Sequence, residues 1–179
     1  GHDRRQPPGT GRNQHHICRY CRVLRPMAKA AISFRRASDK DVVAITALVH
    51  AAYVKYISRI GREPYPMTVD YAVSVTQHQV WVAETGDEMI GVLVLVLSED
   101  HMLIENVAVL PGHQGTGLGK RLLQLADGEA TRQGHGEIRL YTNVRFTENI
   151  AIYNHYGYIE TGRGDLNNLD VVFMKKPLS

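Results

Sequence analysis

The sequence predicts an α/β protein in which antiparallel strands follow one another and lead into a single strand–loop–helix unit. Two apolar runs, Val80–Glu84 and Met89–Leu97, are joined at Gly86–Asp87, a connection of a few residues that is typical of a hairpin. A third strand ends at Pro111, and a glycine-rich loop then precedes a helix with an apolar stripe. Repeated βα units do not surround this unit, so a doubly wound sheet is not expected.

Caps, breakers and periodicity predict the other elements. Ser38 with Asp41 three residues later resembles a capping box that begins the first helix. The segment Gly61–Pro66 interrupts the helical pattern, and Thr68 is expected to cap a second helix. In chain order we predict a strand at Ile32–Arg36, a helix from Ser38 to about Ile57, a helix from Thr68 to about Gln77, the two strands named above, a strand at Leu103–Val109, a helix from Leu118 that ends at Gly134 and Gly136, a strand at Ile138–Thr142, a helix at Thr147–Tyr156, and strands at Tyr158–Thr161 and Leu169–Lys175.

Length and composition bound the class of protein. The chain has 179 residues, of which 44% are hydrophobic and 22% charged, as in an ordinary globular protein of one domain, which we place at residues 32–179. The longest apolar run, Met89–Leu97, is far shorter than the ~20 residues of a membrane helix, so no membrane is expected. No secretory signal is visible, and two cysteines do not make a disulfide framework. We therefore expect a cytoplasmic protein.

Residues 1–31 are predicted to be a separate basic arm, and Gly1–His2 resembles a remnant of an expression vector. A nucleic-acid-associated protein that uses Arg4–Lys29 is an alternative, and it predicts salt-sensitive binding that is lost when the arm is deleted. No second pair of ligands follows the four side chains of zinc-ligand type in the arm, so we expect no metal. Those four side chains are His15, His16, Cys18 and Cys21.

The loop after Pro111 excludes two phosphate-binding motifs by its spacing. Counted back from Gly119–Lys120, a P-loop needs glycine where Gln114 stands, and Arg121 occupies the position of its Ser or Thr. The dinucleotide fingerprint fails as well, because its third glycine would fall on a lysine or a leucine. A helix that begins with glycines and free N–H groups is nevertheless a ready site for phosphate.

The loop does fit the pattern Q-x-x-G-x-G, with Gln114, Gly117 and Gly119 at the fixed positions after V-x-P at Val109–Pro111. This resembles the loop that binds the pyrophosphate of acetyl-coenzyme A in the GNAT superfamily of N-acyltransferases. A second stretch, Asn149–Tyr158, is similar to the family pattern N-x-x-x-Y-x-x-x-G-[FY]. The two stretches together identify the chain as similar to this family.

The resemblance covers residues 32–179 and implies a mixed, mostly antiparallel central sheet flanked by helices on both faces. It implies an N-acetyltransferase that moves an acetyl group from acetyl-CoA directly to a primary amine of a small molecule or amino acid, within a ternary complex. Pairing of strand edges is common in the family, so a homodimer is one expectation. A non-catalytic acyl-CoA-binding or regulatory module is the alternative. The positions that match coenzyme contacts are Val107, Ala108, Val109, Gln114, Gly115, Thr116, Gly117, Leu118, Gly119, Lys120, Asn149 and Tyr153.

Tyr153 and Glu105 are the candidate catalytic residues. In the family, the tyrosine at the position of Tyr153 often donates a proton to the departing thiolate, and a phenol with a pKa near 10 is protonated at neutral pH. The attacking amine must be neutral, and Glu105 is the candidate base, on a strand face that we expect it to share with Val107 and Val109. A backbone N–H near Val107–Val109 is expected to meet the developing oxyanion.

Other residues receive lesser roles. Asn149 is expected to contact the coenzyme or to cap a helix, and Tyr156 is expected to pack in the core. The segment Tyr53–Tyr71, which overhangs the acceptor cleft in the family, is expected to set substrate specificity through its mixture of aromatic and charged side chains. Weaker candidates for the base, or for holding a cationic substrate, are Glu99, Asp100 and Asp70.

Overall fold

A seven-stranded sheet organises residues 30–179, which are the residues that the computed structural model describes. Its order is β1-β2-β3-β4-β5-β7-β6, in which β4 and β5 are parallel and the other neighbours are antiparallel. The predicted mixed, mostly antiparallel sheet is confirmed. The strands are β1 (Ile32–Arg36), β2 (Gln79–Thr85), β3 (Glu88–Leu97), β4 (Met102–Val109), β5 (Glu137–Asn143), β6 (Ile159–Leu166) and β7 (Leu169–Pro177).

Helices cover both faces of this sheet, as predicted. Side chains of α1 and α3 pack with β2 and β3 on one face, and those of α4 pack with β3, β4 and β5 on the other, where α5 also contributes. A 3₁₀ turn at Val54–Tyr56 joins α1 to α2, and a second turn at Tyr65–Thr68 precedes α3. The helices are α1 (Val42–Tyr53), α2 (Ile57–Ile60), α3 (Tyr71–Gln77), α4 (Leu118–Arg132) and α5 (Thr147–His155).

Local capping explains where two of these helices begin. The Asp41 carboxylate accepts a hydrogen bond from the Ser38 N–H at 2.7 Å, so the predicted capping box is confirmed, at the start of the 3₁₀ turn Asp39–Asp41 that leads into α1. The second predicted cap is wrong, because Asp70 and not Thr68 begins α3, with its side chain accepting from the Ala72 N–H at 3.0 Å. The predicted arm and its four zinc-type ligands lie outside the described residues, apart from the last two residues of the arm.

Among the described residues, the helical stretch Asp39–Ile60 is long and apolar enough to cross a membrane, judged by length and composition alone. The expectation of no membrane considered only the longest uninterrupted apolar run and therefore did not take this helical stretch into account. The stretch is weak evidence for a membrane, because the core helix of a globular protein passes the same test. The side chains that α1 buries against the sheet are Ile45, Leu48, Val49 and Ala52.

The parallel strands β4 and β5 pair over three residues and then separate. Met102–Ile104 pair with Ile138–Leu140, and no pairing continues beyond them within the described sheet. The walls of two adjacent cavities begin there, with the second half of β4 on one side and the end of β5 or α5 on the other. This split of the sheet positions the site.

A β-bulge at Glu105 changes the orientation of β4 at the split. Ile104 lies opposite Leu95 and Asn106 lies opposite Val94, so Glu105 has no partner on β3. Such a bulge re-aims side chains and is frequent beside active sites. Ile104 packs with the α4 side of the core, whereas the Asn106 side chain reaches Tyr71 of α3 at 3.0 Å.

The bulge corrects one expectation about Glu105. Val107 and Val109 pack against the α4 side of the core. Glu105 lines a cavity with Tyr65, which lies in the turn that precedes α3, and Val107 lines that cavity too. Strict alternation along the strand is interrupted at Glu105, so the parity on which the predicted shared face rested does not hold at this residue.

Candidate active site

The glycine loop forms one wall of a wide cleft of about 400 Å³. Gly115 and Gly117 have φ values of +75° and +87°, and a Cβ on either glycine would meet no atom within 4 Å. Gly119 has an ordinary φ and lies in the first turn of α4. This glycine therefore serves the cleft because it has no side chain, and not because its backbone is flexible. The first N–H groups of α4 have no carbonyl partner within the helix, and Gly117, Gly119 and Lys120 at this end of the helix line the cleft.

This wall fits a diphosphate. Bare N–H groups at a helix N-terminus, the positive end of the helix dipole and an absence of side chains are what an anionic phosphate requires. Lys120 also lines the cleft and adds a positive charge. Of the predicted coenzyme contacts, all line the cleft except Thr116, whose hydroxyl donates to the His113 carbonyl at 2.6 Å, and Leu118, whose side chain is buried in the core.

Gln114 holds the loop in place through its side chain. Its Nε2 donates to the Val109 carbonyl at 3.0 Å, and its Oε1 accepts from Lys55 Nζ at 3.1 Å. These two bonds attach the loop to the end of β4 and to the turn after α1. The glutamine of the Q-x-x-G-x-G pattern therefore has a positioning role that spacing alone did not indicate.

Two tyrosines stand where the coenzyme cleft meets a second, smaller cavity. Tyr53, Tyr153, Val107 and Asn149 line both spaces. The Tyr53 hydroxyl donates to Asn106 Oδ1 at 2.8 Å, whereas the Tyr153 hydroxyl makes no hydrogen bond within residues 30–179. Burial raises the pKa of both phenols above the usual value, and in Tyr153 the neighbouring Tyr56 adds to the effect. Both are therefore protonated at neutral pH, but only Tyr153 has its proton available to a ligand.

The second cavity has a volume of about 60 Å³ and lies between β4, β5, β7 and the segment 60–66. Its walls are mostly apolar or aromatic, with Ile60, Pro64, Leu140, Phe146 and Val171 among them. Glu105 is the sole side chain of Asp, Glu, Lys, Arg or His type that lines it among the residues described. The cavity therefore joins one carboxylate to a wall in which apolar and aromatic side chains outnumber the neutral polar side chains of Asn106, Thr142, Asn143 and Asn149.

Tyrosines surround this carboxylate. Burial and then the charge of Glu105 raise the pKa of Tyr65. Burial, Tyr65 and Glu105 together raise the pKa of Tyr141 to about 12. The pKa of Tyr71 is also raised, mainly by burial. All three phenols remain neutral at pH 7, so Glu105 contributes the one formal charge of the cavity wall.

A chain of hydrogen bonds connects the bulge to the cavity loop. Asn106 is buried, accepts from the Tyr53 hydroxyl and donates from Nδ2 to the Tyr71 oxygen at 3.0 Å. The Tyr71 hydroxyl in turn donates to the Pro66 carbonyl at 2.8 Å. These bonds connect the loop at Pro66 to α1 and α3. The packing of the two helices therefore influences where the neighbouring Tyr65 lies beside Glu105.

The weaker carboxylate candidates do not line either cavity. Asp70 is exposed and caps α3. Asp100 pairs with His101 at 2.6 Å and with Arg139 at 3.4 Å, and Glu99 is exposed in the β3–β4 turn. A role for these residues in the site therefore stays a prediction that the lining of the two cavities does not support.

Two further sequence-based assignments can be placed. Phe146 is the N-cap of α5 and Asn149 is the third residue of that helix, so Asn149 lines the cleft and does not cap. Tyr156 packs against the α4 side of the core, as predicted, and also lines the coenzyme cleft. Its position in the family pattern gave no sign of this second contact.

The cavity also contains residues that the sequence reasoning missed. Tyr141 lies on β5 beyond its pairing with β4, and Phe146 stacks on Tyr56 with ring centroids 4.2 Å apart. Leu169 and Val171 come from β7, near the end of the chain. Tyr141 could have been found from its place near the end of the strand that follows α4. No feature of the sequence indicated that Leu169 and Val171 line the cavity.

The arginines near the cavity have partners already. Arg59 makes an ion pair with Glu148 at 2.7 Å and stacks over the Tyr56 ring. Arg145 donates to the Arg59 carbonyl at 3.1 Å, and Arg62 donates to the Asn167 carbonyl at 3.3 Å. The predicted specificity segment thus contributes Tyr53, Ile60 and residues 64–66 to the cavity wall, but not its charged side chains.

Comparison with known proteins agrees with this geometry. Residues 76–160 match the sequence model of a family described as an acetyltransferase (GNAT) domain. The chain is 26% identical over 143 residues to probable N-acetyltransferase 14 of Xenopus tropicalis, covering 78% of this chain and 68% of that protein. It is 27% identical over 88 residues to N-acetyltransferase family 8 member 3 of Rattus norvegicus, covering 46% of this chain and 39% of that protein.

A solved structure supports the same fold. The PaiA N-acetyltransferase of Thermoplasma acidophilum in complex with coenzyme A superposes with a TM-score of 0.69 and 18% identity, over 82% of this chain and 99% of that one. Among residues 30–179, no group of three or more His, Cys, Asp or Glu side chains is placed to hold a metal ion.

The split sheet, the glycine loop at the start of α4 and the two joined cavities give a cleft that fits an acyl-coenzyme A beside a separate space for an acceptor. Residues 76–160 match a GNAT acetyltransferase domain, and this match, together with the N-acetyltransferase relatives and the coenzyme A-bound structure of the same fold, supports an N-acetyltransferase that uses acetyl-CoA as its co-substrate.

Proposed function

We propose that this protein transfers the acetyl group of acetyl-CoA directly to the primary amine of a small molecule. The observation that carries the proposal is the arrangement at the junction of the two cavities. Tyr153 and Val107 line both spaces, and Glu105 lies in the wall of the smaller one. An amine in the smaller cavity and a thioester in the larger cleft would meet beside these residues.

Glu105 is proposed to take the proton from the amine. An alkyl ammonium has a pKa near 10.4, so at pH 7 only about one molecule in a few thousand is the neutral nucleophile. A carboxylate next to the amine attracts the ammonium and accepts its proton, directly or through a water molecule. The mostly apolar wall strengthens this attraction because it excludes water.

Tyr153 is proposed to supply a proton to the departing sulfur. Its pKa is raised by burial, which keeps the phenol protonated, and its hydroxyl is not engaged by another described side chain. A donor aimed at the sulfur stabilises the negative charge that develops there as the carbon–sulfur bond breaks. The acetyl group then passes to the amine with no covalent enzyme intermediate. The Tyr53 hydroxyl is a poorer candidate for this proton donor, because it already donates a hydrogen bond to Asn106 Oδ1.

A pH–rate profile of Glu105→Gln tests the base. At pH 7 we expect kcat/KM for the amine to fall by about 100-fold, because base catalysis is worth this much or more. Between pH 7 and 9 the variant should recover by about tenfold per pH unit, as the neutral fraction of the amine increases toward its pKa. The gap from the wild type should therefore narrow as pH rises.

Asp70→Asn is the matched control, since Asp70 is an exposed acid that caps α3 and asparagine caps equally well. The control should keep the wild-type profile. Profiles of the wild type and Glu105→Gln that stay parallel from pH 7 to 9 would contradict the role of Glu105 as base.

A further inference from the structure

We infer that the acceptor is a small cationic alkylamine without a carboxylate, and not an amino acid. The inference rests on the proposed function and narrows its substrate class. It is carried by the charge and the size of the smaller cavity, which recognise different parts of the same molecule.

The charge of the cavity wall is negative and uncompensated. Glu105 is the one formally charged side chain that lines the described cavity, and Tyr65 and Tyr141 beside it are neutral. An ammonium group is attracted to this carboxylate and to the faces of the surrounding aromatic rings. The carboxylate of an amino acid would lie a few ångströms from its own amine, and therefore close to Glu105, with no cation in the wall to pair with it.

The guanidinium groups of Arg59, Arg145 and Arg62 do not neutralise the negative charge of the cavity wall. Arg59 is paired with Glu148, whose carboxylate neutralises it. Arg145 and Arg62 donate to backbone carbonyls, and neither side chain contributes to the cavity wall. To serve a substrate carboxylate, these arginines would have to leave their present partners and move toward the cavity.

The size of the cavity limits the substituent on the amine. Its volume is about 60 Å³, whereas an apolar cavity of about 150 Å³ is what accommodates benzene. Pro64 and Phe146 are buried on two sides, which restricts expansion by simple side-chain movement. A short aliphatic group fits this space better than an aromatic ring.

A matched set of acceptors tests the inference by steady-state release of the coenzyme A thiol. Isobutylamine, valine and valinamide share one carbon skeleton, and their rates are compared per neutral amine because the α-carboxylate and the amide also lower the pKa of the amine. We expect kcat/KM for isobutylamine to exceed that for valine by about 100-fold, because burying an unpaired carboxylate beside Glu105 is unfavourable. Valinamide should lie between them. Phenethylamine should react at least tenfold less well than isobutylamine.

Each other result overturns the inference in a recognisable way. Equal rates for valine and isobutylamine would show that the carboxylate is tolerated, and a preference for phenethylamine would show that the size limit is wrong. A valine-initiated tetrapeptide that surpasses isobutylamine would indicate a protein N-terminus as acceptor. If acetyl-CoA protects the protein against thermal unfolding but no small amine in the set is acetylated, the proposed function itself fails.

A variant with an added cation tests the charge argument separately. Leu169→Arg places a guanidinium in the cavity wall and should shift the ratio of valine to isobutylamine activity toward valine by tenfold or more. Leu166→Arg is the control, because Leu166 pairs with Leu169 across the same β6–β7 turn but does not line the cavity. The same ratio in both variants would contradict an unpaired carboxylate as the source of the selectivity.

Discussion

The two cavities that meet at Tyr153 are built in different ways. The coenzyme cleft is wide, at about 400 Å³, and the wall that fits a diphosphate comes from one continuous glycine loop and the start of α4. The acceptor cavity is narrow, at about 60 Å³, and its walls are side chains from segments spread between residues 53 and 171. We therefore expect coenzyme binding to depend on backbone conformation, and acceptor selection to depend on side-chain identity and volume.

The difference between the cavities also concerns how each is held. The glycine loop is attached to its surroundings by Gln114, which bonds to Val109 and Lys55. The acceptor cavity is attached through Asn106 and Tyr71, which connect the bulge to the loop at Pro66. Substitutions in these two regions should consequently affect different kinetic constants, and three variants test that separation.

The largest effect is expected from Gly117→Val. Gly117 has a φ of +87°, where a β-branched residue is strained by about 1–3 kcal/mol. The loop would relax away from this conformation and no longer direct its N–H groups at the diphosphate. We expect kcat/KM for acetyl-CoA to fall on the order of 10³-fold, measured at a fixed amine concentration.

Gly86→Val is the matched control for this substitution. Gly86 also has a positive φ, of +60°, and an open space around its Cβ position, but it lies in the β2–β3 turn, away from the cleft. Both variants should lose similar thermal stability, and Gly86→Val should keep the wild-type KM for acetyl-CoA. An equal loss of coenzyme binding in both would mean that strain alone, and not the loop, is responsible.

The same difference explains what could be predicted from sequence. The coenzyme loop could be assigned in advance because its strand, glycines and helix are consecutive, so spacing alone describes its geometry. The strand and helix order was predicted for the same reason, since turns and periodicity are local features, whereas the mixed, mostly antiparallel sheet was implied by the resemblance to the GNAT family. Thr68 was predicted as the cap where the structure has Asp70, because both residue types cap helices and they lie two positions apart.

The acceptor cavity was predicted only in part, because it depends on contacts between distant segments. Glu105 was identified as a carboxylate on an apolar strand, but its direction depends on a bulge that is defined by the register with β3. Tyr141 and Val171 enter the cavity because β4 separates from β5, a property of sheet geometry that no local pattern reports.

Tyr153→Phe should have the second largest effect, and it tests the junction between the two regions. Removal of the hydroxyl should lower kcat by about 100-fold, since general acid catalysis is worth this much. The KM for acetyl-CoA should change by less than about threefold, because the phenylalanine ring occupies the same space as the tyrosine ring. Tyr53→Phe is the competing variant, as Tyr53 lines both cavities but already donates to Asn106. A greater loss of kcat in Tyr53→Phe than in Tyr153→Phe would identify Tyr53, and not Tyr153, as the proton donor.

The smallest effect is expected from Val171→Ala, which enlarges the acceptor cavity. Val171 is buried and lines this cavity, so loss of its two methyl groups adds space beside the substituent of the amine. We expect kcat/KM for phenethylamine to rise about fivefold relative to isobutylamine, while the KM for acetyl-CoA stays unchanged.

Val172→Ala is the control for this last variant, because it deletes the same atoms from the next residue of β7, which faces the α4 side of the core. Both variants should lose about 1–3 kcal/mol of unfolding free energy through the cavity they create. Only Val171→Ala should change acceptor preference, because only its space is continuous with the acceptor cavity. A similar change of preference in Val172→Ala would mean that general loosening of the sheet, and not the volume beside the amine, determines selection, and the separation of the two regions would then no longer hold.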